Sequence, residues 1–446
     1  MTASSITAAM ARFASGTGAP PESALAVARL SLMDWAAVAL AGLEEPVAVM
    51  LRALADEEGG AAQATLIGGA RKVPARMAAL ANGALSHALD YDDTHFAYVG
   101  HPSVAVFPAA LAMGERQGAT AAAVVEAALM GMEAACRIGH WLGTQHYNHG
   151  FHQTATSGAF GAAVAAGRLL GLDAGRMAHA LGLVATRASG LKSQFGTMGK
   201  PFNAGIAAAN GIEAALLAAQ GFVSRPDGIE CIQGFAETHA GEARDGEGAL
   251  AGLGEAYWFE AVQHKFHACC HGTHAALEAL IGLRAEPGFD AARITRVVLT
   301  VNPRWLRVCN IPSPETGLEA KFSYRLTTAM ALGGLHTGAL DVYSAATCTD
   351  PVLMALRDKV EVTADAAVSD TAARVMIEMQ GGTMHTAAFD LDRPLPLAGR
   401  RAKIAGKVRA LLAPEAAEAV IALDDDVAGL SARALAARLA GLAPVR

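Results

Sequence analysis

Apolar residues recur at helical spacing through residues 1–263, in stretches rich in alanine, leucine and glycine. Pro21 stands just before Glu22 and Ser23, and proline suits the first turn of a helix. Small side chains allow helix axes to approach closely, so the pattern indicates a tightly packed helical body. The predicted helices after the first one span 73–89, 103–117, 121–142, 157–170, 175–191, 201–220 and 270–283.

The pattern changes after Arg284, where short runs of alternating β-branched residues appear. The predicted strands span 294–302, 360–364, 374–379 and 383–392, and the predicted helices between them span 322–332 and 351–356. Two further helices, 397–412 and 430–442, have the alanine-rich character of the first part. Strands mixed with helices in one segment are typical of an α+β domain.

These patterns together predict a mainly α protein. We expect a large, discontinuous all-α helical domain made of residues 1–263 and 399–446, and a smaller α+β lid domain at 264–398. A chain of 446 residues is also longer than a single hydrophobic core usually supports.

Composition narrows the function classes. The chain is 52% hydrophobic and 17% charged with a net charge of −7, and it has no long basic run, so we expect no nucleic-acid partner. Six scattered cysteines without framework spacing favour a reducing, cytoplasmic location, as does the lack of a secretory leader in the first 18 residues. Charges such as Glu126 and Glu133 interrupt the apolar runs, so no membrane span is expected.

The first of four polar clusters reads HALDYDDTH at 87–95 and is followed by HPS at 101–103. Its acids and histidines could bind a metal or share protons. The alternative is an ordinary helix end with Asp93 or Thr94 as the cap.

The second cluster, 146–154, contains three histidines and Tyr147 just before a predicted helix. A helix N-terminus favours an anionic ligand or a neutral imidazole, whereas the alternative is a surface loop. The third cluster, 192–201, places two glycines beside Thr197 and Lys200. Its backbone N–H groups and one ammonium could cradle a carboxylate, although an ordinary loop with a solvated lysine has the same composition.

The fourth cluster, 264–274, is the densest. The spacing of His264, His267, His271 and His274 could place all four on one helical face, as in a metal site. Gly272 weakens a continuous helix, however, and adjacent Cys269 and Cys270 lack the separation usual for zinc ligands.

The four clusters, in this order, resemble the MmgE/PrpD family, which includes 2-methylcitrate dehydratases, cis-aconitate decarboxylases and iminodisuccinate epimerase. The resemblance implies a homodimer with an all-α domain, a smaller lid domain, and no metal or organic cofactor. The matching stretches are Asn82-Gly83, HALDYDDTH at 87–95, HPS at 101–103, GFHQTATSGAFGAA at 150–163, KSQFGTMGKPFNAGIAAANGIEAALLA at 192–218, KFHACCHGTHAALEAL at 265–280 and KFS at 321–323.

The resemblance also implies site residues. The family's active-site positions fall on Asp90, Thr94, His101, His152, Lys200, Lys265 and His274. The chain departs from the decarboxylase branch at Cys270, where that branch has a histidine, and at Leu326, where it has a tyrosine. His267-Ala268 also replaces the usual Tyr-Pro. These departures count against decarboxylation.

Substrates of the family are small di- and tricarboxylates, and removal of a proton beside a carboxylate builds negative charge there. The site must therefore supply a base and fixed positive charge or hydrogen-bond donors. We expect His152 to be the acid/base group, with Tyr147 on the opposite face, and Asp90 to orient a neighbour. The groups expected to hold the substrate are Lys200, His101, Lys265, Thr94, Gln194 and His274.

The expected function is a cofactor-independent lyase similar to 2-methylcitrate dehydratase. The alternative is an epimerase of an imino-dicarboxylate. Two less favoured functions are a cis-aconitate decarboxylase and a zinc hydrolase whose site would combine the fourth cluster with Asp92 or Asp93. A helical scaffold without catalysis is disfavoured, because buried polar groups are costly unless they are used.

Overall fold

The computed structural model describes residues 5–240 and 246–443. The chain folds into two compact units, Met1–His264 with Leu412–Arg446, and Lys265–Leu411. The described residues are mainly α, with 59% helix and 10% strand, so the predicted fold class is confirmed.

The first unit is a bundle of helices with one two-stranded antiparallel ribbon. Its elements are α1 (Ile6–Ser15), α2 (Glu22–Ala41), α3 (Pro46–Glu58), β1 (Ala64–Thr65), β2 (Lys72–Val73), α4 (Ala75–His87), α5 (Ser103–Gln117), α6 (Ala121–Asn148), α7 (Gln153–Leu169), α8 (Ala174–Ala185), α9 (Gly199–Ala219), α10 (Phe235–Ala240), α11 (Gly246–Leu250), α18 (Pro414–Ile421), α19 (Leu423–Asp426) and α20 (Ala432–Gly441).

Helices α4, α5, α7 and α9 pack against one another at the centre of this unit. At the crossing of α4 and α9, a Cβ on Gly83 would lie 2.9 Å from the Gly205 Cα atom. A Cβ on Gly205 would in turn lie 2.2 Å from the backbone oxygen of Leu80. Only glycine at both positions allows this approach, which brings the C-terminal end of α4 and the N-terminal end of α9 into the same region.

A buried ion pair anchors α6. Arg137 Nε lies 2.5 Å from Glu133 Oε1, and both side chains are fully buried. The Arg137 guanidinium also donates to the carbonyl oxygens of Ala249, Ala251 and Ala256 at 2.6–2.8 Å. Since a buried charge is tolerated only when it is paired and hydrogen-bonded, this network ties α6 to the segment that follows α11.

The second unit is built around a four-stranded sheet with the order β4-β3-β5-β6. The central strand β3 pairs in parallel with β4 and antiparallel with β5, while β5 pairs antiparallel with β6. The buried side chains of β3 alternate, as a sheet with one covered face requires. The elements are α12 (His274–Arg284), β3 (Ile294–Val301), α13 (Gly317–Ala320), α14 (Tyr324–Gly333), α15 (Ala345–Cys348), α16 (Pro351–Arg357), β4 (Val360–Ala364), β5 (Ala372–Met379), β6 (Met384–Asp390) and α17 (Leu397–Leu411).

Most predicted elements lie within a few residues of the observed ones, and the differences have local causes. The helix predicted over 121–142 ends where Gly143 adopts a φ of 70°, which kinks α6 before its last turn. The helix predicted over 270–283 begins only at His274, because Cys270 is extended and residues 271–273 form a 3₁₀ turn. The predicted return to the helical domain at residue 399 falls inside α17, which groups with the second unit.

Two helices, α2 and α9, have the length and apolar composition of a membrane span, with mean hydropathy of 1.6 and 1.2. The prediction that no segment has this character was therefore too strong. Within the structure 83% and 67% of these windows are buried against the rest of the chain, as in the core helices of a folded domain.

We predict that Arg137→Ala lowers the free energy of unfolding by about 3–5 kcal/mol, because it leaves Glu133 buried without its partner. Urea denaturation of the full chain measures this change. The control is Arg438→Ala, which breaks a more exposed pair with Asp426 and should cost less than about 1 kcal/mol. Equal losses in the two variants would contradict the assigned role of the buried pair.

Candidate functional site

The ends of four helices meet at a group of polar side chains in the first unit. His87 is the last residue of α4, His101 precedes α5, His152 precedes α7, and Lys200 is the second residue of α9. We call these residues, together with Asp90 and Asp92, the histidine–aspartate cluster. The residues come from the first three polar clusters of the sequence, which are up to about a hundred positions apart.

Asp90 lies in the loop after α4 with a φ of +51°. This left-handed conformation is rare outside glycine, although aspartate tolerates it better than most residues. The side chain of Asp90 is 45% exposed, whereas that of Asp92, two residues on, is fully buried. The loop therefore presents one carboxylate to the surface and one to the interior, and backbone strain at such positions often accompanies function.

The buried Asp92 carboxylate lies between two imidazoles. Its Oδ1 atom is 2.9 Å from His87 Nδ1, and its Oδ2 atom is 2.8 Å from His101 Nδ1. Burial by itself raises the pKa of Asp92, but the neighbouring His101 and His87 outweigh it and hold the pKa well below the ordinary value. Asp92 is therefore an ionised carboxylate that accepts a hydrogen bond from His87 and lies in close contact with His101.

Three imidazole rings form a row in the cluster. The ring centroids of His87 and His101 are 4.6 Å apart, and those of His87 and His152 are 5.9 Å apart. Phe195 packs its edge on His152 at 5.0 Å. Burial, reinforced by the nearby His87 and Lys200, places the pKa of His152 well below its ordinary value, so this imidazole is neutral.

The exposed side of the cluster carries an ammonium group. Lys200 Nζ lies 2.5 Å from Asp90 Oδ2, and His101 Nε2 lies 3.6 Å from Asp90 Oδ1. The N-termini of α5, α7 and α9 all begin at or next to cluster residues. Positive helix ends together with Lys200 make this region suitable for a small anion.

Four of the residues could also ligate a metal ion. One ligand atom from each of His87, Asp90, Asp92 and His101 lies within 4.8 Å of the others. In the structure Lys200 is paired with Asp90, however, and both Asp92 oxygens face imidazole nitrogens. The observed pairing therefore corresponds to a proton-sharing network, and an ion would have to displace the ammonium and two ring protons.

Three other predicted residues of this unit have contacts of their own. Thr94 pairs through its backbone with Gln263, with hydrogen bonds of 2.8 and 2.7 Å. The ring of Tyr147 lies 3.5 Å below the Lys192 ammonium. Gln194 is exposed and accepts a hydrogen bond from Thr197 in its own loop. These contacts support the loops around the cluster and do not assign Tyr147 or Gln194 a part in it.

Lys265 and His274 belong to the second unit, where both are buried. The His274 ring centroid lies 4.6 Å from that of His271 and 4.9 Å from that of His267. Burial and these neighbours lower the pKa of His274 well below its ordinary value. The pKa of His267 is also lowered by burial, so the second unit holds two neutral imidazoles, those of His267 and His274, near the buried Lys265.

The second and fourth polar clusters each extend over more than one structural element. His146 and Tyr147 lie in the last turn of α6, so of the second cluster it is His152 that stands at a helix N-terminus. The fourth cluster does not form one helical face, because His267 precedes a 3₁₀ turn and His274 opens α12. His264 bonds instead to Ser31 Oγ at 2.9 Å in the first unit.

Sequence reasoning assigned no role to Asn203. It named His87 only as a member of a polar run, and Asp92 beyond that only as a possible part of a zinc site. Asn203 is buried, and its Nδ2 atom lies 3.3 Å from His152 Nδ1. The sequence feature that could have indicated a role for Asn203 is its position one helical turn after Lys200. For His87 and Asp92 the signal was their inclusion in one short apolar-flanked run with Asp90.

Comparisons with known proteins identify the family of this chain. A family model described as the MmgE/PrpD N-terminal domain matches residues 8–246, and one described as the MmgE/PrpD C-terminal domain matches residues 267–426. The chain belongs to the MmgE/PrpD family. The family resemblance expected from the sequence is thereby confirmed.

Several relatives are named cis-aconitate decarboxylase. The chain is 33% identical to the enzyme of Aspergillus terreus over 281 residues, which cover 60% of this chain and 57% of the relative. It is 28% identical to the enzyme of Homo sapiens over 277 residues, which cover 59% of this chain and 56% of the relative. The matched region thus spans little more than half the length of these relatives.

A pH dependence follows from Asp93, next to the cluster. Burial, together with the nearby Asp34 carboxylate, raises the pKa of Asp93 from 3.8 to about 7. Between these values the folded chain holds a proton that the unfolded chain releases, so stability should fall as pH rises through this window. We predict that Asp93→Asn flattens this fall, as measured by urea unfolding at several pH values.

The control variant is Asp56→Asn, which removes an exposed carboxyl group at the surface. If wild type and Asp93→Asn lose stability equally between pH 5 and pH 8, the protonated state assigned to Asp93 is wrong.

Proposed function

We propose that this protein is a cofactor-independent enzyme that moves a proton on the carbon next to a carboxylate of a small di- or tricarboxylate. The observation that supports this most directly is a neutral, buried His152 in one cluster with His101, whose Nδ1 lies 2.8 Å from Asp92, and with the Lys200 ammonium. A homodimer and a metal-free site, both expected from the family resemblance, belong to the same proposal.

The chemistry requires two complementary functions close together. A C–H bond beside a carboxylate breaks only if a base takes the proton and if the charge that builds on the carboxylate is stabilised. Neutral imidazole is a competent base or donor near neutral pH, and an ammonium is a fixed positive charge. The histidine–aspartate cluster supplies a neutral imidazole in His152 and a positive charge in Lys200. Lys200 and Asp90 lie on its more exposed side.

A substrate carboxylate can bind at the Asp90–Lys200 ion pair on the exposed side of the cluster. Asp90 is partly exposed and holds Lys200 through one oxygen. A substrate carboxylate can take over this ammonium, and the three helix N-termini add favourable partial charge. Asp90 then positions Lys200 and does not abstract the proton, since an ionised aspartate is a weak base.

The leading reaction is dehydration, as in the 2-methylcitrate dehydratases that the sequence resembles. In this reaction a C–H bond and the C–OH bond on the adjacent carbon break, and water leaves. Cys270 and Leu326, which stand where the decarboxylase branch has histidine and tyrosine, favour this reaction. Epimerisation would use the same first step and return the proton to the opposite face.

The second candidate is decarboxylation, because relatives of this chain are named cis-aconitate decarboxylase. In that reaction a bond from carbon to a carboxylate breaks, CO₂ leaves, and a proton adds to the carbon skeleton. The same cluster could donate that proton. Dehydration and decarboxylation are therefore distinguished by analysing the products.

A substrate panel tests the proposal. The full chain is incubated with citrate, 2-methylcitrate, cis-aconitate or iminodisuccinate in D₂O. Water loss, CO₂ release and incorporation of deuterium at carbon are followed separately. Dehydration predicts alkene formation without CO₂, decarboxylation predicts CO₂, and epimerisation predicts deuterium incorporation without either. Absence of all three signals with every acid would overturn the proposed function.

We predict that His152→Gln lowers turnover by roughly 10²–10⁴-fold, the usual contribution of a group that handles protons. The control is His179→Gln, since His179 lies on α8 and bonds to the Ser224 carbonyl oxygen. Steady-state kinetics on the best acid of the panel measures both. Undiminished turnover in His152→Gln would remove this residue from the mechanism.

A further inference from the structure

We infer that two buried residues, Asp92 and Asn203, hold two histidines in opposite tautomers, so that His101 accepts the substrate proton and His152 donates a hydrogen bond. This assignment rests on the function proposed above and makes it more specific. Asp92 and Asn203 are positioning residues, because each acts through the imidazole that it contacts.

The tautomer of His101 follows from the charge of Asp92. Asp92 Oδ2 and His101 Nδ1 lie 2.8 Å apart without the alignment of a hydrogen bond. Because an ionised carboxylate has lone pairs and no proton, the ring nitrogen this close to it is the one that carries the hydrogen. The same holds for His87 at the other oxygen. In its neutral form His101 therefore has its proton on Nδ1 and its lone pair on Nε2, which lies on the side of Asp90 and Lys200.

The tautomer of His152 follows from the two contacts of one amide. Asn203 Nδ2 lies 3.3 Å from His152 Nδ1 and 3.4 Å from the carbonyl oxygen of Leu191. A carbonyl oxygen can only accept, so the amide group facing Leu191 is the NH₂, and its second proton points to His152. His152 Nδ1 is thus the acceptor, and the ring proton is on Nε2.

The two rings therefore differ in what they offer a substrate. The C–H bond breaks and a new N–H bond forms at His101 Nε2, while the electron pair moves into the enediolate of the adjacent carboxylate. An oxygen of that enediolate accepts the hydrogen bond of His152 Nε2–H. The environment of His152 keeps its imidazole neutral. The ring can therefore donate a hydrogen bond from Nε2 to the enediolate oxygen while Nδ1 accepts one from Asn203.

Nuclear magnetic resonance tests the assignment directly. The full chain is labelled with ¹⁵N-histidine, and two-bond ¹H–¹⁵N correlations report which ring nitrogen carries the proton. The signals are assigned by their loss in His152→Gln and His101→Gln. We expect a protonated Nε2 in His152 and a protonated Nδ1 in His101. A protonated Nδ1 in neutral His152 would overturn the inference.

A matched pair of variants on α9 gives a second test. Asn203→Asp puts a carboxylate where the amide donates, which should place a proton on His152 Nδ1 and lower deuterium exchange at the substrate carbon about tenfold or more. Asn210→Asp is the control, because Asn210 is equally buried on the same helix but bonds to Arg187. Equal effects of the two variants on exchange would contradict the role of Asn203.

The proposed function and the tautomer assignment fail separately. If no acid in the panel reacts, the proposed function falls, whereas the tautomers remain measurable in the protein alone. If turnover needs His152 but the ring nitrogens carry the opposite protons, the function stands and the division of roles is wrong.

Discussion

A single buried carboxylate organises the candidate site. Asp92 is fully buried, its Oδ1 accepts a hydrogen bond from His87 Nδ1, and its Oδ2 lies 2.8 Å from His101 Nδ1. Burying that charge is costly, and the two ring contacts offset the cost. The loop conformation that turns Asp90 outward and Asp92 inward, and the orientation of His101, both depend on this arrangement.

The helical scaffold makes the arrangement possible because it brings chain ends together. Four helix termini contribute cluster residues, and glycines at 83 and 205 permit α4 and α9 to approach. Buried helices such as α9 need alanine and glycine on several faces, which explains the alanine-rich composition and the apolar length of α2 and α9. The polar residues of the cluster lie at or just beyond the helix ends, outside the close-packed parts of the helices.

The mainly α class, the α+β segment and most element positions were predictable, because apolar periodicity and β-branched runs are local signals. Among site residues, Asp90, His101, His152 and Lys200 were predictable from the family resemblance, and the structure brings them together. Asn203 was not, since a single buried amide in an apolar helix has no pattern of its own. The fourth cluster forms no single helical face, as the sequence indicated at Gly272, which lies in a 3₁₀ turn.

The crossing of α4 and α9 has a consequence for altering this protein by design. A side chain at position 83 or 205 would meet backbone atoms, which cannot rotate away as a flexible side chain can. Any enlargement there would push apart the two helices that carry His87 and Lys200, and the spacing of the cluster would change with them. A substitution library aimed at new substrates should therefore leave these two glycines unvaried and draw its diversity from the exposed loop around Phe195, where added volume does not have to displace a helix axis.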